Sequence, residues 1–243
     1  MEAPATPSKD LEEDIGVALE RIAAAVAEGD RDLRTLGFWR IVGRVKRDPV
    51  LIAAHADAIG RIDTAAFRAG VKLRVPVWLG NLLLLGVIAA GVVALVVASR
   101  TEDVVAGIAL LVAGGAWSLG VHSPAHWVVG WLAGIGFTDY FLGGPPPPRP
   151  GIKTDYATYL RAEPSMRAWF HASGAMATKL APFVAVALSP ATNAPGWAVL
   201  AMGAYGVLQI VTDVLFSTKS SDWKKFSRER AVAKAVRGRS RPA

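Results

Sequence analysis

Apolar positions follow two rhythms along this chain. Up to residue 74 they recur at helical spacing between polar positions, and after that they form long aliphatic blocks. Leu11, Ile15, Leu19, Ile22 and Val26 mark one face of a first helix, and Asp10 with Glu13 resembles a capping box. A second helix is expected from near Asp30, carrying Leu33, Leu36, Trp39 and Val42. Asp48-Pro49 fits an N-cap followed by proline at the first helical position, opening a third helix to about Ala69. Residues 1–74 therefore read as a helical domain.

Four later blocks, at about 75–98, 104–134, 166–188 and 197–216, are each long enough to cross roughly 30 Å of hydrocarbon. Gly107, Gly114, Gly115 and Gly120 in the second block allow close helix packing. Pro124 lacks the N–H that residue 120 needs, which predicts a kink there. Residues 75–218 are thus expected to form a four-span membrane domain. Its loop at 136–165 contains a short extended piece, 137–142, and a stiff polyproline run from Pro145 to Pro148. Residues 219–243 form a basic, partly helical tail. The expected fold class is an all-α membrane protein, with four transmembrane helices, an N-terminal helical domain and a basic C-terminal tail.

Composition agrees with this pattern. The 243 residues are 52% hydrophobic with a mean hydropathy of +0.34, high for a soluble chain that is 19% charged. There is no cysteine, which excludes disulfides, thiolate metal sites and cysteine nucleophiles. The first residues lack a secretory signal pattern, so targeting is expected from the first span. A net charge of +7 and a pI near 9.9 would suit nucleic acid. The basic residues, however, flank the spans and fill the tail, which favours membrane lipids and anionic headgroups over nucleic acid. Arg40, Arg44 and Arg47 beside Trp39 suit a membrane surface or a solvated helix face. By the positive-inside rule both termini and the 136–165 loop are cytoplasmic, in a plasma (inner) membrane.

The chemistry gathers at His122-Ser123-Pro124-Ala125-His126. Histidines four apart share one helix face and can offer two ligands to one metal. Counted from Val104, His122 lies about 27 Å down its span, and Asp213, counted from Trp197, about 24 Å down its own. His171 stands in the first turns of the third span. These four residues reach one layer, which favours a metal site formed by His122, His126, Asp213 and His171, with zinc as the natural ion. Taken singly each has a simpler reading. His171 could be interfacial, Asp213 could pair with Lys179 or Lys219, and the histidine pair could bond backbone near the kink. His55 reads as structural.

These features resemble the site-2 intramembrane metalloprotease family. The resemblance is carried by His122-Ser-Pro-Ala-His126 with the following Trp127-Val-Val-Gly-Trp-Leu-Ala-Gly-Ile-Gly. An extended piece, a glycine-proline loop, the small-residue segment Ser173-Gly174-Ala175-Met176-Ala177 and Asp213 come next. The resemblance implies that His122, His126 and Asp213 hold zinc. It also implies a glutamate after the first histidine to activate water, and Ser123 stands there instead. Serine is a far weaker base, and the spacing offers no substitute in Asp139 or Glu163. A fourth ligand, His171, would close the site and make it structural. No catalytic residue is assigned. The expected function is a non-proteolytic scaffold or regulator with a membrane-protein partner, a pseudoprotease. The alternatives are an active membrane metalloenzyme (an intramembrane protease or a hydrolase of lipid-like substrates), or a haem or redox protein using His171 with His122 or His126.

Overall fold

A computed structural model describes residues 9–143, 149–218 and 221–239. The polyproline run expected at Pro145 to Pro148 lies outside them. The described residues divide into two compact units, one drawn from 9–76, 130–143, 149–167 and 229–239, the other from 77–129, 168–218 and 221–228. This division cuts across the linear order of domain, spans, loop and tail.

In the first unit, α1 (Lys9–Ala27) buries Ile15, Leu19, Ile22 and Val26, the face its spacing marks. Each side chain so buried contributes roughly 1.5–3 kcal/mol. The second helix, α2 (Phe38–Val45), starts later than its apolar spacing suggests. The Asp30 and Asp32 carboxylates accept from the backbone N–H groups of Asp32 and Arg34 at 3.0 and 2.9 Å, which stabilises turns instead. Gly37 then enters the left-handed region at a φ of 77°, which no helix interior accommodates. α3 (Pro49–Gly70) begins as expected, with the Asp48 carboxylate accepting from the Val50 N–H at 2.9 Å. These helices close over Phe38, Val42, Val45, Ile59 and Ile62, and α7 (Tyr156–Arg161) adds Leu160 to the same core.

Helix dominates, with one departure from an all-α chain. β1 (Leu73–Pro76), β2 (Phe137–Gly143) and β3 (Arg149–Thr154) form an antiparallel sheet in the order β1-β2-β3. Leu73 pairs with Leu142 and Val75 with Tyr140, while on the other side Tyr140 pairs with Ile152. The register shifts between Phe137 and Asp139. The extended piece at 137–142 was legible from its aromatic and β-branched residues, but its partners were not, because β1 lies far upstream.

In the same unit Arg167 is completely buried. Its Nη1 donates to the Leu160 carbonyl at 2.8 Å, and its Nε lies 3.1 Å from Glu229 Oε2. Lys46 Nζ donates to the other oxygen of Glu229 at 2.7 Å. One carboxylate on the tail helix thus sits between two cations, the pairing a buried charge requires.

The second unit holds the apolar helices. α4 (Val77–Arg100), α5 (Asp103–Gly120) continued by α6 (His122–Leu132), α8 (Pro164–Leu188) extended by a 3-10 turn to Ala191, and α9 (Gly196–Leu215) supply four segments long and apolar enough to cross a membrane. Their ends fall within a few residues of the sequence estimates. Large apolar side chains such as Trp78, Leu82, Val93, Leu200 and Val214 are exposed along them, as lipid-facing surfaces require. The interior is built from small residues with Leu110, Trp117 and Met202. At Gly91 a Cβ would lie 2.6 Å from Trp117 Cδ1, and this approach lets Trp117 Nε1 donate to the Ile88 carbonyl at 3.1 Å. α10 (Asp222–Arg239) completes the chain.

Candidate metal centre

Pro124 determines the local shape. It has no N–H to offer the Gly120 carbonyl, so α5 stops at Gly120, the chain turns at Val121, and α6 starts afresh at His122. Pro124 then occupies the first turn of α6, where its missing donor costs little. His122 and His126 follow one turn apart, their ring centroids 4.8 Å apart and their planes at 87°.

The ring nitrogens have unequal partners. His126 Nδ1 lies 2.6 Å from the Phe170 carbonyl on α8, and a carbonyl can only accept, so Nδ1 carries the proton. His122 Nδ1 lies 3.0 Å from Thr178 Oγ1. The Thr178 hydroxyl already donates its hydrogen to the Gly174 carbonyl at 3.0 Å, so towards His122 it accepts. In the neutral rings both Nε2 lone pairs are consequently left bare. This is the orientation that metal-binding histidines show, with the outer nitrogen tied to a protein acceptor.

Both bare nitrogens face one oxygen. Asp222 Oδ2 lies 3.4 Å from His122 Nε2 and 3.4 Å from His126 Nε2. These separations exceed the roughly 2.7–2.9 Å of a charge-assisted hydrogen bond. They match the edge of a tetrahedron, about 3.3 Å, whose centre lies about 2.0–2.1 Å from nitrogen and oxygen ligands. His122, His126 and Asp222 form a group able to hold a metal ion. Side-chain exposure falls from 40% at His122 to 19% at Asp222 and 8% at His126, so the group opens on the His122 side.

Asp222 is held for this position. It opens α10, where Ser221 Oγ accepts from the Lys224 N–H at 3.4 Å, and an acid in the first turn suits the helix dipole. Lys225 Nζ takes the other carboxylate oxygen at 3.3 Å, leaving Oδ2 for the histidines. Phe226, one turn on, packs against Trp169 of α8 with ring centroids 5.8 Å apart. Burial raises the carboxyl pKa, but hydrogen bonding from the His122 and His126 rings in their protonated form, with the charges of protonated His126 and of Lys225, outweighs it. The group stays well below the usual carboxylate range. Asp222 is an anion at any ordinary pH.

Two sequence-predicted ligands are elsewhere. Asp213 is paired with Lys179, Oδ2 to Nζ at 2.7 Å, and does not join the histidines. An ammonium from the neighbouring helix satisfies it, as its simpler reading allowed. His171 stacks beside Phe170 with centroids 4.9 Å apart and is also outside the group. The Phe170 ring packs on His126 with centroids 5.1 Å apart, and the next helix position is rotated about 100° from it, so His171 leaves α8 on another side. Neither possible replacement base joins the group. Asp139 lies on β2, and Glu163 accepts from Ser165 and pairs with Arg237 at 3.6 Å.

The sequence reading missed Asp222 because it measured depth along straight helices, and Asp222 lies beyond the fourth span, on the helix that follows. Its one signal was Ser221-Asp222, a helix-opening pair beside the membrane. Small residues in the third span did carry information. At Gly174 a Cβ would lie 2.6 Å from His126 Cδ2 and 2.7 Å from Cε1, so only glycine admits the ring. Comparison with protein-family models, curated proteins and solved structures finds no match to this chain.

Proposed function

We propose that this chain is a multi-span membrane protein whose His122, His126 and Asp222 bind one zinc ion, serving as a non-proteolytic scaffold or regulator related in design to site-2 metalloproteases. The observation that carries this reading is the pair of 3.4 Å approaches from the His122 and His126 Nε2 atoms to a single carboxylate oxygen, with Nδ1 of each ring tied to a protein acceptor. When both rings are neutral, three acceptors face one point and repel each other unless a cation lies between them. Imidazole and carboxylate donors suit zinc. Ser123 at the place of the general base argues against peptide hydrolysis. Positive-inside placement puts both termini on the cytoplasmic side of a plasma (inner) membrane. The basic arm and tail then meet anionic headgroups, and the helical domain is available to a membrane-protein partner.

Elemental analysis of the full-length protein, purified in detergent with zinc in the medium, tests the site. One zinc per chain is expected, falling to background in His126→Ala. Zinc-free wild-type protein would overturn the assignment.

A second reading rests on ligand number. Among the described residues only three ligands converge, and catalytic zinc sites keep three protein ligands and an open fourth position. An ion held this way would supply Lewis acidity to a polarised carbonyl or phosphoryl group. Zinc-dependent hydrolysis of a membrane peptide or a lipid ester by the wild type would favour this enzyme reading. Activity that appears only in Ser123→Glu would mark a disabled protease.

A further inference from the structure

A second constellation lies in the first unit, on α3, the sheet and the start of α7. A cleft of about 530 Å³ is lined there by Arg61, Thr64, Arg68 and Thr138 together with Asp57 and Asp155. This volume is within the roughly 300–1,000 Å³ of small-molecule sites. Its floor forms where Gly60 meets α7, since a Cβ on Gly60 would lie 2.8 Å from the Ala157 Cβ.

The cleft carries two guanidinium groups, two hydroxyls and two carboxylates. Arg61 and Arg68 are two turns apart on α3, with Thr64 between them on the same face. Among the described residues neither guanidinium has an ion-pair partner. Each of the two carboxylates has one oxygen engaged within the protein. Asp57 Oδ2 accepts from Arg161 Nη2 at 2.6 Å, and Asp155 caps α7 by accepting from the Ala157 N–H at 2.9 Å. Thr138 supplies a separate observation. It sits at the register shift in β2, where one residue has no cross-strand partner, and its Oγ1 is buried with no hydrogen-bond partner. Bulges that turn a side chain out of the ladder recur beside binding sites, and a buried hydroxyl left unsatisfied carries a free-energy cost that a ligand would remove.

We propose that this cleft binds a phosphate group, with Arg61 and Arg68 clamping its oxygens and Thr64 and Thr138 donating from either side. Planar guanidinium pairs match phosphate geometry, and hydroxyl donors complete the shell. The phosphate can belong to a small soluble ligand or to a lipid headgroup, and both present the same oxygens to the same donors. The site is independent of the metal centre and makes no use of its residues.

The test uses full-length protein in phosphatidylcholine nanodiscs, titrated with inorganic pyrophosphate by calorimetry. Saturable binding at one per chain is expected. Arg61→Gln/Arg68→Gln should weaken it by about tenfold or more, and Thr138→Val by several-fold. Arg44→Gln, on α2, should leave it unchanged, and circular dichroism checks that each variant is folded. Repeating the titration in nanodiscs containing phosphatidic acid separates the two sources. Suppressed pyrophosphate binding there marks a lipid headgroup as occupant, and unchanged binding marks a soluble ligand. Absence of saturable binding in phosphatidylcholine nanodiscs, or equal binding by the double variant, overturns the proposal.

Discussion

Gly174 on α8 and His126 on α6 meet where any side chain at 174 would enter the imidazole, 2.6 Å from Cδ2. The ring is fixed from the other side by the Phe170 carbonyl at 2.6 Å from Nδ1. His126 therefore has no direction in which to yield. The glycine decides where the buried member of the candidate group points.

Gly174→Ala should cost about 1–3 kcal/mol of overpacking and displace His126 from its hydrogen bond. Zinc retention should fall well below one per chain, while helicity by circular dichroism is unchanged. The companion Gly115→Ala has open space around its Cβ and should retain zinc. Equal zinc content in both variants would contradict this role for Gly174.

The two aspartates near the end of the fourth span should separate cleanly. Asp222→Asn should lose zinc, because it removes the anion that both Nε2 atoms face. Asp213→Asn should keep zinc and lose thermal stability, because it leaves Lys179 without its carboxylate. Since the pair is only partly buried, the loss should be a fraction of the roughly 3–5 kcal/mol seen on breaking a fully buried one. Elemental analysis and thermal unfolding in detergent read both effects. Zinc loss in Asp213→Asn alone would restore the ligand set expected from sequence.

Thr178 holds His122 by accepting from its Nδ1, an outer contact that also sets the tautomer. Thr178→Val keeps shape and removes the acceptor. Zinc affinity should drop about 10–100-fold, with the stoichiometry at saturation still one per chain. Competition with a chromogenic chelator measures the change.

A buried pair in the first unit gives a pH dependence. Burial holds the Asp63 carboxyl above its ordinary 3.8, against the opposing charge and hydrogen bond of Lys153. A carboxyl with a higher pKa folded than unfolded binds its proton more tightly in the native state. The stability it contributes is complete below 3.8 and is lost as pH rises through the folded value. As pH rises from 3.8 through the folded value, the wild type should therefore lose stability relative to Asp63→Asn, whose curve lacks this descending component. Thermal unfolding at a series of pH values checks the difference in slope, and parallel curves would contradict it.

Much of this molecule was legible before any folding. The spans, the break imposed by Pro124, the Asp48 cap and the buried face of α1 all follow from local rules, where a residue acts on neighbours within a turn or on the solvent around it. The same rules led astray where several local preferences compete. At 30–37, apolar spacing pointed to helix, and aspartate side chains with Gly37 prevailed.

The sequence by itself therefore determined which segments are helical and apolar, and that His122 and His126 share a face. Only the tertiary structure decided the rest of the site. It assigned Asp213 to Lys179, turned His171 aside, and brought Asp222 from the tail helix to the histidines. The physical reason is that a third ligand depends on how separate helices return to one another. That return is set by distant contacts, Gly174 against His126 and Trp169 against Phe226, which no periodicity along the chain encodes.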